Sequence, residues 1–140
     1  MKTLHTLAAS MLAIAALPAM AQTAGTPQGT WITESGNLEV SVAACGAALC
    51  GTVVKVLANR SMSQPGAEMA AEVKPALGMT LLSGFEPSGE GEWKGQLFNR
   101  ENGKTYSALI TLPGADQMAV RGYVGLPAFG QTQIWRRVQK

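Results

Sequence analysis

Few residues of this 140-residue chain could perform chemistry, and their spacing narrows the set further. The one histidine, His5, lies in an N-terminal stretch with the features of a removable export signal, so the chain left after cleavage has none. Without an imidazole, Ser-His-Asp and Cys-His nucleophile activation and His-ligated zinc are excluded. No serine sits in a Gly-x-Ser-x-Gly elbow, and no Ser-x-x-Lys occurs. Glu86, Glu90 and Glu92 bunch around a glycine-rich turn, but they lack the alternating Asp/Asn pattern of a calcium loop and read as a solvated turn. No metal, no cofactor and no catalytic residue is expected, which points to a non-enzymatic protein.

Cys45 and Cys50 are the only cysteines. In an oxidising compartment they should pair, closing a short loop that contributes about 2 kcal/mol through chain entropy. A redox role is the alternative, although redox pairs usually have the closer Cys-x-x-Cys spacing ahead of a helix. The large aromatics Trp31, Trp93 and Trp135 are core residues first and cavity-lining candidates second. Tyr106 shares a strand face with Ile110 and Leu112, so its hydroxyl needs an interior partner or offers a ligand a polar handle. Arg121 and Arg137 are embedded in β-favouring runs beside Tyr123 and Trp135. A buried guanidinium must pair or stack; Glu39, Glu92 and Asp116 are the available carboxylates. The candidate ligand-facing set is Trp93, Tyr106, Arg121 and Trp135.

These side chains need elements to position them, and the elements start after the export signal. Residues 1–6 carry Lys2, residues 7–17 are small and apolar apart from Ser10, and Ala19-Met20-Ala21 makes an AxA cleavage site. The apolar run is about half the roughly 20 residues a spanning helix needs. Cleavage after residue 21 would leave Gln22 at the N-terminus, with no cysteine to accept a lipid. The expected organisation is therefore a signal over residues 1–21, a flexible leader over 22–28 and one domain over 29–138. The mature chain of 140 − 21 = 119 residues keeps 10 of the 11 Lys and Arg and all 9 Asp and Glu, a formal charge of +1. Only Arg136 and Arg137 are adjacent, so no basic stripe exists to track nucleic-acid phosphates.

All 16 glycines lie beyond residue 21, between short β-favouring runs. Eight runs are expected: residues 29–33, 37–43, 49–57, 80–85, 92–98, 104–112, 117–123 and 131–138. In the second, Leu38, Val40 and Val42 alternate with Asn37, Glu39 and Ser41, giving one buried and one wet face. The third has apolar Val53, Val54 and Val56, which predicts that something covers its outer side. Residues 58–74 break the pattern. Their second half, GAEMAAEVK, predicts a short helix with Met69 and Val73 on one face, ended by Pro75, lying over that strand. Asn102-Gly103 predicts a hairpin and Pro113-Gly114 the next turn. Eight short runs joined by tight turns favour an all-β, up-and-down antiparallel barrel, because closure removes sheet edges.

The pairing of Gly29-Thr30-Trp31 with Ile134-Trp135-Arg136-Arg137 resembles the calycins, the lipocalin-like and streptavidin-like barrels. There a first-strand tryptophan packs beneath a last-strand cation, a cation-π contact of about 1 kcal/mol that would here join Trp31 to Arg137. A more specific resemblance comes from GTW, ACGAALCG, PALGMTLLSGF, EWKGQLFNRENGKTY and VRGYVGLPAFGQTQIWRRV together. Over residues 29–138 the chain is similar to the exported bacterial family called domain of unknown function 2147. That resemblance implies a lipocalin-like fold and an envelope location, periplasmic or secreted, with no transferable activity. Many members have a second cysteine pair near the C-terminus, where this chain has Tyr123 and Phe129, and the middle segment is shorter than is usual in the family. Asn59-Arg60-Ser61 fits a glycosylation sequon, which a bacterial protein has little occasion to use.

Two functions from different classes follow. In the first, a monomeric barrel binds a small, largely apolar ligand in its interior or mouth. In the second, an envelope protein partner is recognised through the outer face or residues 58–74. An enzyme using carboxylates, Tyr or Arg is a third class, with no spacing that implies one.

Overall fold

The computed structural model describes residues 10–15, 25–69 and 75–139. Eight strands run in sequence order: β1 Gly29–Ile32, β2 Leu38–Cys45, β3 Ala48–Val56, β4 Thr80–Gly89, β5 Glu92–Asn99, β6 Lys104–Gly114, β7 Gln117–Tyr123 and β8 Gln131–Arg137. Each pairs antiparallel with its neighbour, and β8 returns to β1, so the sheet is a closed up-and-down barrel. Alternation decides which side chains enter it. Leu38, Val40 and Val42 of β2, Ala108 and Ile110 of β6, and Met118 and Val120 of β7 are all buried at every second position.

Register shifts adjust this pattern at several places, and those in β3 and β4 decide which side chains enter the core. In β3, Val53 pairs with Val40 and Lys55 with Glu39, which leaves Val54 as an extra residue. The three clustered valines therefore mark a bulge and not a strand covered on both sides: Val54 and Val56 stay about half-exposed, correcting the expectation of a covering element. In β4 a register shift between Ser83 and Glu86 turns Phe85 into the core. Its ring lies over Gly95 of β5, where an added Cβ would fall 2.7 Å from the ring and 2.6 Å from the Ser83 carbonyl oxygen, so only glycine fits.

The Asn102-Gly103 hairpin forms as a loop over residues 100–103, closed by the Gly103 amide donating to the Asn99 carbonyl at 2.8 Å. Pro113 and Gly114 belong to β6; the turn lies one step later, at Ala115-Asp116. No helix occupies residues 66–69, where Glu68 instead bridges to Arg60. The rest of that expected helix, like most of the expected export signal, lies outside the described residues. Cys45 and Cys50 are disulfide-bonded across the β2–β3 hairpin, their Cα atoms 5.8 Å apart.

Turns β2–β3, β4–β5 and β6–β7 share one end of the barrel with the start of β1 and the end of β8. That end is closed. Trp31 is fully buried there, its indole N–H donating to the Pro27 carbonyl at 2.8 Å, and Arg137 Cζ lies 4.3 Å from its ring centroid. The guanidinium also donates to the carbonyls of Gln28 at 2.9 Å, Ala115 at 3.0 Å and Thr26 at 3.4 Å. Residues 26–28 of the leader expected to be flexible are thus tied down. Gly29 makes the crossing possible: with φ at 135°, a Cβ there would sit 2.4 Å from an Arg137 nitrogen. Replacing Trp31 by Ala should destabilise the fold by about 3–5 kcal/mol in urea unfolding. Arg137→Lys should lose about 1–2 kcal/mol, since a lysine keeps the charge but cannot serve three carbonyls in a fixed fork.

Candidate functional site

The buried side chains Trp31, Val40, Val53, Leu82, Phe85, Ile110, Met118 and Trp135 fill the half of the barrel toward the closed end. Above them the interior is open. A cavity of about 540 Å³ lies beneath the loops joining β1–β2, β3–β4, β5–β6 and β7–β8. Its lining is mixed: Leu38, Leu97, Phe98 and Trp135 supply apolar surface, while Tyr106, Gln131, Gln133 and Asn99 supply amides and a hydroxyl. Among the described residues, Arg100 and Glu101 are the charged ones in its wall. The Trp135 indole N–H donates to Gln133 Oε1 at 3.0 Å, which orients that amide, and the Tyr106 hydroxyl accepts from Asn102 Nδ2 at 2.8 Å.

Residues 59–69 form a strap along the mouth and bring Met62 and Met69 into the cavity wall. Three residues hold it. Asn37, placed by the alternation on the wet face, is instead only 3% exposed, and its amide clamps the Arg60 backbone: Nδ2 donates to the carbonyl and Oδ1 accepts from the N–H, both at 2.9 Å. Its own carbonyl accepts from Leu57 and Ala58 at 2.7 and 3.1 Å. Arg100 Nη2 donates to Asn59 Oδ1 at 2.9 Å and meets Met69 Sδ at 3.3 Å. The Glu101 carboxylate accepts from the hydroxyls of Ser61 and Ser63 and from the amides of Met62 at 3.1 Å and Ser63 at 3.3 Å.

Those donors set the charge state of Glu101. The Ser61 and Ser63 hydroxyls lower its pKa below the usual carboxylate value, with smaller help from the two amides and against a desolvation cost. Because the folded value is the lower one, this stabilisation is complete above the ordinary carboxylate pKa and fades as pH falls through the lowered value. In the sequence Glu101 merely precedes the Asn102-Gly103 hairpin signal, and Asn59 belongs to a sequon. Nothing local reveals the partners of Glu101 and Asn59, which are 38 to 41 residues away.

The four candidate ligand residues divide. Tyr106 and Trp135 line the cavity; Trp93 and Arg121 do not. Trp93 packs against the core between Pro87 and Ile110 on the neighbouring strands. Arg121 alternates with inward Val120 and lies on the outer face, where it donates to Pro127 O and Thr132 Oγ1, both at 2.7 Å, and to Ala128 O at 3.4 Å. Its role is to hold the β7–β8 loop. No group of three or more His, Cys, Asp or Glu among the described residues could hold a metal ion.

Residues 29–137 match the family described as an uncharacterized protein conserved in bacteria, DUF2147. The chain belongs to that family. Curated proteins provide no significant match to it. Among solved structures, this DUF2147 chain is similar to HP1028 of Helicobacter pylori, described as belonging to the lipocalin family. The two are 15% identical with a TM-score of 0.60, over 82% of this chain and 84% of that one. At that identity the likeness establishes a lipocalin-like fold alone.

Acidification tests the strap. Amide exchange at Met62 and Ser63 should stay slow at neutral pH and speed up only below the ordinary carboxylate range. Glu101→Gln should speed it at neutral pH and remove the acid-dependent step, as a neutral amide replaces the charged acceptor.

Proposed function

We propose that this protein is a non-enzymatic carrier that binds one small amphipathic molecule in the mouth half of its barrel. The cavity carries this reading. Its 540 Å³ falls within the roughly 300–1,000 Å³ of sites that enclose a drug-sized ligand. The apolar wall suits a hydrocarbon or ring portion and the Gln131, Gln133 and Tyr106 groups suit a neutral polar portion, so the ligand is less uniformly apolar than the sequence implied. The disulfide and the export-type N-terminus support an oxidising envelope compartment, periplasmic or secreted, as its place of work. Partner recognition through residues 58–74 has less support, because residues 59–69 direct their hydrogen bonds to the barrel's own loops.

The test is titration with the neutral fluorophore N-phenyl-1-naphthylamine, alongside native mass spectrometry of the purified protein. Saturable binding at one site is expected. Gln131 is exposed at the cavity wall, so Gln131→Trp should cut probe affinity about tenfold or more while changing stability by no more than about 0.5 kcal/mol. Absence of saturable binding, or equal affinity in the variant, would remove this function.

A further inference from the structure

The β7–β8 loop presents large apolar side chains to solvent: Val124 is 73% exposed, Leu126 62% and Phe129 79%. From 124 to 129 the sequence is Val-Gly-Leu-Pro-Ala-Phe, with no polar side chain, and residues 122–135 include no Asp, Glu, Lys or Arg. A loop of this composition would ordinarily fold its apolar groups inward. Here the backbone prevents that. Phe129 N donates to Leu126 O at 3.1 Å and Gly130 N to Pro127 O at 3.0 Å, making a single 3-10 turn. Arg121 adds its bonds to Pro127 O and Ala128 O from the outer face of β7. The loop is thus pre-shaped with its apolar groups outward.

We propose that residues 124–129 are a lipid-docking lip that seats the barrel mouth on a bilayer surface. Two observations select lipid over a protein partner. Protein interfaces surround their apolar centre with polar groups and carry about one hydrogen bond per 100–200 Å², and this lip has no side chain to make one. The carbonyls of Leu126, Pro127 and Ala128 already have donors within the chain, and the lip's remaining amides, those of Val124, Gly125, Leu126 and Ala128, would stay at the level of headgroups and water, as in shallow interfacial binding. At the mouth end the acidic Glu34, Glu68 and Glu101 are matched by Arg60, Arg100 and Lys104, while Glu86, Glu90 and Glu92 lie on the β4–β5 hairpin at the opposite end. Val124 and Phe129 also line the cavity, so the lip is continuous with it. Given the ligand-binding function proposed above, an amphipathic ligand would then pass between bilayer and cavity without crossing water.

The test attaches a polarity-sensitive fluorophore to the full chain through Ala128→Cys on the lip, and separately through Glu90→Cys at the closed end. Vesicles of phosphatidylcholine with phosphatidylglycerol are then added. A blue shift at position 128 with none at 90 is expected. Adding Leu126→Asp, an exposed position outside the cavity wall, should weaken partitioning about tenfold without altering thermal unfolding. No shift at 128 would overturn the proposal. So would an equal shift at 90, because residues 26–28 sit at that end and such a result would trace binding to the N-terminal segment. Self-association that shields position 128 in place of vesicle binding would make a second copy the occupant, also against it. The Gln131→Trp variant separates the two ideas: docking should persist in it, while a chain that docks but binds no probe would lose only the ligand-transfer role.

Discussion

Closing a sheet obliges its last strand to find its first, and here that seam is short. Strands β1 and β8 share two registered pairs, Trp31 with Arg137 and Ile32 with Arg136. Such a ladder has few backbone bonds to resist opening. Arg137 extends it by side-chain bonding to three carbonyls on the leader and the β6–β7 turn, and by covering the Trp31 ring. A guanidinium suits this position because it is planar on one face and a fork of donors at its edge. With the seam held at one end, the eight strands keep the circumference that leaves room at the other.

The two ends are built by opposite means. At the closed end short turns bring the strands together and large side chains fill the interior. Toward the mouth the inward positions pass to Gln131, Gln133, Tyr106 and Leu97, and the connections lengthen. A longer connection carries backbone groups that need partners, and Asn37 and Glu101 serve those of the strap while Arg100 holds the Asn59 side chain. The Asn37 amide pairs with the Arg60 backbone as a neighbouring strand would, which lets the chain leave β3 and return without a sheet beneath it. The lip on the facing side is held in a similar way, by Arg121 bonded to the Pro127 and Ala128 carbonyls. The cavity is therefore framed by two loops whose shapes come from side-chain to backbone bonds.

Strand order, the closed antiparallel architecture, the disulfide and the family are legible in the residues alone, because each rests on short-range signals. Alternation with period two needs only neighbouring residues, turn residues act where they stand, and two cysteines admit one pairing. The sequence also placed Tyr106 and Trp135 on inward faces. Only the tertiary structure decided the remainder. Val54 reads as a second buried face until its bulge is seen against Val40 and Glu39 on β2. Arg121 reads as a ligand contact until strand parity turns it outward to the loop carbonyls. Asn37 and Glu101 read as ordinary polar residues because their partners are 23 to 40 residues away. The cavity is the space left between a circumference set by eight strands and the side chains each register brings inward, a quantity that no local stretch of sequence contains.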